Sequence, residues 1–513
     1  RRSSDLFTYI LHVFLQVCFV LSESILSIIK GLENSDSIEL MKSLSADLWS
    51  SSAMCRTTLL LLVQFLLTGL FTTAQAQSIQ SSNLRDELTL SRELLERYET
   101  EVDRNAIGLL EPIEQLADRL MALNQFNEAH RLLDRAMQIT RLHNGLYTSS
   151  QIPLIRKKIE NFSNRRDWES AREQMNYLFW FYENQEIAVN QGLIGDLLAL
   201  SEQHLRGSVE DIEEWSGYHL LRVNQLNLAI ISTAAKVYGE NDPRSVPLLY
   251  RQILHLHVLN QVIESRNSAS MDLRRIVPTS GRLRERSEVQ DSYYFVGLSL
   301  LNQIRNIYLV AEPVNPEGLA MAGLYIADWQ LLFDLPELAA ESYRKVYGEF
   351  LGAELRADIV NSYFSDPRVL PIQYFYPSIS QADSEVQVLL ADTEGFANEV
   401  GSSPLFFNEW SSAFSSVRNP EAGLRQNEKG YDFVLFSFDL VAANELSPWF
   451  IGRHTKTISS ASEAEIVGYS SANQAGGEEI FEKLNQLRFR PRLNAGLPQK
   501  SRGLLKYQFA SEL

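Results

Sequence analysis

His255 and His257 are the residues whose type and spacing come closest to a metal site. They stand in Ile253-Leu254-His255-Leu256-His257, an apolar segment that predicts a helix. Residues two apart on a helix point in different directions, so the two imidazoles would not share one ion. We therefore expect packing or surface roles for both histidines and predict no metal site.

The sequence carries none of the common catalytic or phosphate-binding motifs. It has no G-x-S-x-G, G-x-x-x-x-G-K-[ST], H-E-x-x-H or G-x-G-x-x-G pattern. Its two cysteines, Cys18 and Cys55, both precede the cleavage point predicted below, which leaves no thiol in the mature chain. These observations predict a protein that is not an enzyme, with no catalytic residues and no cofactor.

Basic and aromatic residues alternate near the end of the chain. The run from Leu487 to Arg492 contains a proline, and apolar residues then recur at every second position from Leu505. This pattern predicts a helix that stops at the proline and a strand that follows it. The three arginines could form a basic rim of a binding site, or they could be surface charges beside a buried Phe489. The candidate partner-binding residues are Arg488, Phe489, Arg490, Arg492 and Tyr507.

Residues 431–510, and above all 487–498, resemble the TonB C-terminal domain family. The resemblance implies a small α+β domain, residues 431–513, that presents a sheet edge to an extended segment of a partner. The sequence itself indicates the order strand, strand, helix, strand. The predicted elements are strands over Tyr431–Leu440 and Glu463–Tyr469, a helix over Glu478–Leu487 and a strand over Leu504–Phe509.

The preceding part, residues 77–365, has apolar residues at spacings of three and four, which predicts amphipathic helices. Three segments, starting near Leu116, Ile159 and Ala327, repeat one order of small and large residues. They resemble tetratricopeptide repeats, in which small residues let two helices approach closely. The resemblance implies an α-solenoid whose curved face binds a peptide or another protein. The fold class is thus mainly α, with a small α+β domain at the end.

Two short sequence similarities support an internal duplication within the helical part. The pentapeptide Lys-Val-Tyr-Gly-Glu occurs at 236–240 and again at 345–349, and we expect each glycine, Gly239 and Gly348, to lie just past a helix end. Pro153 and Pro247 each follow a polar cluster and predict helix starts.

Three tryptophans and one arginine-rich segment lie within the helical part. Trp168, Trp180 and Trp329 follow the helical pattern, so we expect them to fill the core or the space between repeats. Residues 265–290 contain six arginines and predict an exposed loop. The loop could contact an acidic partner or lipid head groups, or it could be a solvated connection.

Residues 366–430 lose the helical period, and turn residues cluster there. We interpret the segment as an irregular linker that includes a short strand over Glu385–Leu390. Because its fold does not follow from the sequence, it is also where an active site could lie if the protein were an envelope enzyme.

The beginning of the chain predicts export. A charged stretch at residues 54–56 leads into the apolar run Leu59 to Phe71, and Ala74-Gln75-Ala76 completes a signal-peptide pattern over residues 54–76. Residues 1–53 then form a non-structural or untranslated extension. The alternative is a retained membrane helix within residues 6–29, which would make the protein an anchored TonB-like energy transducer.

Composition agrees with a folded, exported binding protein. Hydrophobic residues make up 45% of the chain, and the formal net charge of -17 argues against a nucleic-acid partner. We therefore predict a periplasmic adaptor of the Gram-negative envelope. Its helical repeats would bind one envelope or outer-membrane protein and its TonB-like domain a second, with no small-molecule substrate and at most peripheral membrane contact.

Overall fold

Helices dominate the chain, which confirms the predicted mainly helical class. The structure is a computed structural model that describes residues 85–185, 187–266, 286–390, 404–408, 431–440, 461–469 and 487–510. The contacts discussed below all lie within the compact unit Tyr98–Leu513. The predicted signal peptide, residues 54–76, and the extension before it lie outside the described residues.

Short turns connect most of the described helices of this unit; residues 267–285, between two of them, are not described, and a longer segment spans residues 364–378. Their bounds are α1 Leu110–Ala122, α2 Phe126–Asn144, α3 Ile152–Asn164, α4 Trp168–Asn184, α5 Gln191–Glu210, α6 Glu213–Tyr238, α7 Val246–Arg266, α8 Arg286–Leu309, α9 Pro316–Leu332, α10 Pro336–Gly352, α11 Ala357–Tyr363 and α12 Ile379–Leu390. Consecutive helices pack as pairs, α1 on α2, α3 on α4, α5 on α6, α7 on α8 and α9 on α10.

Three of these pairs, α1–α2, α3–α4 and α9–α10, share one turn. The left-handed residue of each turn is Asn124, Arg166 or Asp334, with φ of 58°, 60° and 56°. In each turn the next residue donates its backbone N–H to the carbonyl five positions earlier, over 2.8 to 3.0 Å. This bond belongs to the Schellman ending of a helix. The three segments that resemble repeats in the sequence therefore fold with the same turn.

Ion pairs connect the first helices of neighbouring pairs. Lys157 of α3 lies 3.1 Å from Glu114 and 2.8 Å from Asp118, both on α1. Arg156 reaches Asp196 of α5 over 2.6 Å. Helices α1, α3 and α5 are therefore linked in series along one side of the molecule.

The strands form a mixed sheet and two small ribbons. The sheet has the order β2-β8-β3-β4, in which β2 runs parallel to β8 and the other neighbours are antiparallel. The ribbons pair β1 with β5 and β6 with β7. The bounds are β1 Arg368–Leu370, β2 Pro404–Asn408, β3 Tyr431–Leu440, β4 Ala461–Tyr469, β5 Arg488–Arg490, β6 Arg492–Asn494, β7 Leu497–Gln499 and β8 Ser501–Ala510.

The three strands predicted within residues 431–513 are confirmed. The first matches β3, and the others fall within β4 and the longer β8. Of the predicted helix Glu478–Leu487, residues 478–486 lie outside the described residues, and Leu487 is not helical.

Two local predictions are wrong. Residues Glu385–Leu390 belong to the helix α12 instead of a strand, because Ser378 caps that helix by accepting the N–H of Gln381 over 3.3 Å. The predicted arginine-rich loop ends earlier than expected, since α8 begins at Arg286. Residues 267–285 of that loop lie outside the described residues.

The repeated pentapeptide takes two different conformations. Gly239 follows the end of α6 with φ of 104°, as predicted. Gly348 lies inside α10, so its predicted role as a helix terminator is wrong. Phe350, two residues later, is fully buried and holds the extra turn of α10 against the core. Pro153 and Pro247 occupy the first turns of α3 and α7, as expected.

Candidate functional site

Helix α4 contains more aromatic residues than one buried face can accept. Five aromatic side chains stand between positions 177 and 182, and Phe181 among them is fully buried. Trp180 is 39% exposed and therefore does not fill the core, whereas Trp168 and Trp329 are buried as predicted. Because a helix turns 100° per residue, adjacent aromatic residues cannot all face the same core.

Tyr177 of α4 lines a groove between α2 and α4, which we call the α2–α4 groove. Its volume is about 320 Å³, and it is lined by Asp134, Met137, Gln138, Arg141, Lys158, Gln174 and Tyr177. The Trp180 ring stacks on the Tyr177 ring at 6.0 Å with an interplanar angle of 13°. Tyr147, from the turn after α2, meets Trp180 edge-on at 5.8 Å. Trp180 therefore contacts two other aromatic rings, and one of them, Tyr177, lines the groove.

The polar atoms of these three rings are accessible for hydrogen bonds. In the described part of the chain, no hydrogen bond engages the hydroxyls of Tyr147 and Tyr177 or the indole N–H of Trp180. Tyr147 is 57% exposed. An aromatic surface with such donors suits a partner that is apolar in part and offers carbonyl oxygens.

Charge in the α2–α4 groove is not balanced. Lys158 pairs with Asp134 over 2.8 Å, which neutralises both. Arg141 donates from Nε to the side chain of Gln151 over 3.1 Å, and within the described residues it has no carboxylate partner. The groove therefore offers one guanidinium to an incoming anion.

A second groove lies on the other flank of α4, against α5 and α6. Its volume is about 370 Å³, and Phe179, Tyr182, Leu197, Leu226 and Leu228 are among its lining residues. The guanidinium of Arg222 covers the Phe179 ring at 4.5 Å. The Tyr182 hydroxyl is buried without a partner in the described part of the chain, and this burial raises its pKa. Partly exposed aromatic side chains thus lie on both sides of α4.

The candidate residues from the sequence lie elsewhere, and Arg490 is the most deeply buried of them. Its Nε donates to Asp328 over 2.8 Å and its Nη2 over 2.5 Å, so the pair is bidentate. Nη1 donates to the Tyr363 hydroxyl over 3.2 Å. With 1% exposure, Arg490 presents no charge to a partner in this structure and instead joins β5 to α9.

The neighbours of Arg490 divide between the interior and the surface. Phe489 is fully buried and packs on Phe438 of β3 with a centroid distance of 4.8 Å. Arg488 is partly buried and reaches Asp334 over 3.3 Å. Arg492 is exposed at the start of β6. For Arg488 and Arg492 the structure therefore supports the interpretation as surface charges beside a buried Phe489. Arg490 does not fit that interpretation, because it is buried.

Tyr507 lies on a strand that is paired on both sides. Its register partners are Phe407 of β2 and Val434 of β3. Strand addition needs an edge with unpaired main-chain groups, which β8 does not provide. In the described sheet the outer strands are β2 and β4.

Two sets of histidines are buried between helices. His255 contacts the Leu220 carbonyl from Nε2 at 3.1 Å, and burial lowers the pKa of His255 and of His257 to about 3. His204 and His219 approach each other at 3.0 Å between their Nδ1 atoms. Within the described ranges, no three His, Cys, Asp or Glu side chains converge as a metal site.

An acidic residue completes the second histidine set. Asp211 lies 3.1 Å from His219 Nε2 and is also held by Arg172. If His219 donates to Asp211, its Nδ1 accepts from His204, which fixes neutral tautomers for both rings. Burial lowers the pKa of His219 to about 4 and that of His204 well below its usual value.

The described part of residues 366–430 binds back onto the helices. The hydroxyl of Tyr250 donates to the Ile372 carbonyl, and that of Tyr325 donates to the Tyr374 carbonyl over 2.6 Å. Phe375 packs on Tyr325 at 4.7 Å. The cavity bordered by Pro371 and Ile372 measures about 10 Å³, enough for one water at most. This cavity gives no support to a substrate site.

Comparison with known proteins leaves the geometry as the basis for a functional argument. No protein-family model matches the chain, and no curated protein matches it. Among the described helices, none is long and apolar enough to cross a membrane.

Proposed function

We propose that this chain is an exported adaptor protein that binds another protein through its helical pairs. The observation that carries the proposal is the row of Tyr147, Trp180 and Tyr177, whose rings are accessible and whose donors have no acceptor in the described chain. Aromatic residues of this kind are enriched at protein interfaces, where they contribute much of the binding energy.

The shared turn of α1–α2, α3–α4 and α9–α10 supports a tetratricopeptide-like solenoid. Asn124, Arg166 and Asp334 occupy equivalent positions, and repeated hairpins that stack produce a continuous surface. The ion pairs from α3 to α1 and α5 fit such stacking. A solenoid would align the grooves on the two flanks of α4 along one binding surface.

The second part of the proposal concerns the TonB-like sheet. Strands β4, β3 and β8 are neighbours in one sheet, in agreement with the strands that the resemblance implies. We assign the second partner to the outer strand β4, since β8 is occupied on both sides. A partner's extended segment would add there through main-chain hydrogen bonds.

Export to the periplasm rests on the signal-peptide pattern of residues 54–76, and the two alternatives rest on other segments. An anchored transducer needs residues 6–29 as a membrane helix, and an envelope enzyme needs a site in residues 366–430. Neither alternative accounts for the accessible aromatic row on α4. The adaptor is therefore the function that the described geometry supports best.

The test is affinity capture of interacting proteins from a cross-linked envelope extract with the full chain. Point variants are preferable to deletion of residues 431–513, because deletion would strip Asp328 of its buried partner Arg490. Trp180→Ala removes the centre of the aromatic row, and Phe295→Ala is the matched control because Phe295 is 63% exposed on α8.

We expect a defined protein to be recovered with the unaltered chain and with Phe295→Ala, and to be lost with Trp180→Ala. A partner that survives Trp180→Ala is expected to depend on β4. Equal recovery of all proteins by all three chains would overturn the adaptor proposal for the α2–α4 groove.

A further inference from the structure

We propose that helices α7, α8 and α9 carry a peptide-binding groove that the chain fills with its own residues 371–378, and that a phenylalanine-containing segment of a partner protein replaces them. One buried tyrosine from each helix lines this groove, namely Tyr250, Tyr308 and Tyr325. We call it the tyrosine groove, and we call residues 371–378 the strap. The site uses other helices than the α2–α4 groove, so it stands independently of what binds there.

The strap lies in neither a helix nor a strand. It begins after β1, which ends at Leu370, and it stops where α12 begins at Ile379. Arg368 of β1 and Asp383 of α12 form an ion pair, which holds the two ends of the strap together. Residues 372–378 are half-buried, so the middle of the strap lies on the surface of the helices. The middle can therefore leave the groove while both ends stay in place.

Side chains of the groove bind main-chain atoms of the strap. The Tyr250 hydroxyl donates to the Ile372 carbonyl, and the Tyr325 hydroxyl donates to the Tyr374 carbonyl over 2.6 Å. The same Tyr325 hydroxyl accepts the N–H of Tyr376 over 3.2 Å. Every residue has a main-chain carbonyl, and every residue except proline has an N–H. These hydrogen bonds therefore suit a segment of another protein as well as they suit the strap.

Phe375 is the strap residue whose side chain the groove selects. Its ring lies 4.7 Å from the Tyr325 ring and 6.0 Å from the Tyr250 ring, measured between centroids. It stacks on Tyr308 at 5.8 Å with an interplanar angle of 15°. Gly318 makes room for this arrangement, because a Cβ there would lie 2.7 Å from the Tyr308 ring. Three rings around one position favour an aromatic side chain over an aliphatic one.

The strap leaves space at one end of the groove. A cavity of about 10 Å³ remains where Pro371 and Ile372 face Tyr250 and Tyr325. Protein interiors are otherwise close-packed, and the atoms that line a void lose dispersion contacts. A partner segment that fills this space has better packing than the strap, which favours the exchange.

Exchange is more favourable than simple opening of the strap. The rings of Tyr250, Tyr308 and Tyr325 contact Phe375, so opening alone would bring apolar surface into water. A partner segment with a phenylalanine covers the same surface again. The strap is thus an internal competitor, and the apparent affinity of the partner falls with the fraction of molecules whose groove is open.

The experiment is a fluorescence anisotropy titration of the full chain with a labelled peptide. The probe has the sequence of residues 370–378, Leu-Pro-Ile-Gln-Tyr-Phe-Tyr-Pro-Ser, because the structure shows that this sequence fits the groove. The comparison peptide has alanine in place of phenylalanine. Phe375→Ala weakens the strap, and Phe295→Ala is its matched control, since Phe295 is exposed on α8.

A second pair of variants tests the hydroxyl that binds the strap. Tyr325→Phe removes it, and Tyr347→Phe is the matched control, because the Tyr347 hydroxyl donates to Asn361 outside the groove. Both changes are combined with Phe375→Ala. We expect Tyr325→Phe to weaken peptide binding at least about fivefold, as for the loss of a buried hydrogen bond, and Tyr347→Phe to leave it unchanged.

We expect Phe375→Ala to bind the phenylalanine peptide at least about tenfold more tightly than the unaltered chain does, because its groove is open more often. Phe295→Ala should bind like the unaltered chain, and the alanine peptide should bind none of the proteins. Equal binding of the two peptides, or equal affinity of Phe375→Ala and the unaltered chain, would overturn the proposal.

Hydrogen exchange of the unaltered chain keeps the proposal testable if urea unfolding shows that Phe375→Ala does not fold. An excess of the phenylalanine peptide should speed the exchange of amides in residues 372–378 and leave the amides of α9 and α12 unchanged. No change in the strap would show that its contacts are only structural, and the proposal would then be wrong. Dimers of the unaltered chain that the peptide dissociates would assign the groove to a second copy and overturn the assignment to a partner protein.

Discussion

Arg490 and Asp328 form a buried bidentate ion pair across 162 residues of sequence. The Tyr343 hydroxyl donates to the same carboxylate over 2.8 Å, and the Tyr363 hydroxyl accepts from the guanidinium. The cluster thus connects β5 with the helices α9, α10 and α11. The pair therefore fixes the end of the chain to the helical part.

Removing one partner of this pair should strongly destabilise the fold. We expect Asp328→Asn and Arg490→Met each to lower the free energy of unfolding by about 3–5 kcal/mol, because each leaves the other charge buried and uncompensated. Urea unfolding checks this. The control Arg356→Ala breaks a pair with Asp358 at the surface and should leave the unfolding midpoint unchanged. A double variant, Asp328→Leu with Arg490→Met, should recover much of the loss.

The duplicated pentapeptide allows a matched test of backbone conformation. Gly239→Ala should destabilise the protein by about 1 kcal/mol or more, since φ of 104° strains any residue with a Cβ. Gly348→Ala should stabilise it by about 0.5–1 kcal/mol, because that glycine is inside a helix with open space around it. Thermal unfolding measures both. If both variants change the free energy of unfolding in the same direction, the result contradicts the different backbone conformations of Gly239 and Gly348.

Acidification should destabilise the fold through His219. Burial lowers its folded pKa to about 4 from an unfolded value of 6.5, although Asp211 opposes the shift. The unfolded chain then binds more protons between these values, so stability is full above pH 6.5 and falls as the pH drops toward 4. The expected slope is about 1 kcal/mol per pH unit for each such histidine.

His255 and His257 should contribute the same pH dependence of stability, and for them the range of pH over which stability falls extends down to about pH 3. Urea unfolding at a series of pH values measures it. His219→Gln should reduce the slope between pH 6.5 and 4. An unchanged slope in His219→Gln would show that other groups dominate.

The two tryptophans of α4 should differ in their effect on stability. Trp168→Ala should lower the free energy of unfolding by about 3–5 kcal/mol, because that side chain is 5% exposed and packs edge-on against His219. Trp180→Ala should lower it by less than about 1 kcal/mol, since its ring is at the surface. Denaturant unfolding of both variants tests the assignment, and equal losses would place Trp180 in the core.

Local patterns in the sequence predicted most of the helices and strands. Features that depend on contacts between residues far apart in the sequence could not be predicted. The small residues Ala117 and Ala129 follow the helical period and are fully buried, so helical pairs could be predicted. Arg490 could not be recognised as buried, because its partner Asp328 is remote in sequence. Gly239 and Gly348 have identical neighbours, and what separates them is the core contact of Phe350.

The α2–α4 groove could not be predicted from the sequence for a similar reason. Trp180 follows the helical period as Trp168 does, so a pattern of apolar residues assigns both to the core. The sequence contains one signal that some of these aromatic residues are exposed. The aromatic residues from Tyr177 to Tyr182 are more numerous than one buried helix face can accept. The donors of the α2–α4 groove depend on the turn that brings Tyr147 to Trp180, and that turn cannot be read from the sequence.

Because Asp328 and Arg490 are far apart in the sequence, they are synthesised at different times. A ribosome adds about 5–20 residues per second, so Arg490 is made about ten to thirty seconds after Asp328. During that interval Asp328 on α9 lacks the guanidinium of Arg490. The helical pairs can form on the growing chain, while their final packing waits for the last strands. The buried contacts between β5 and α9 therefore form only after the helical part has been synthesised.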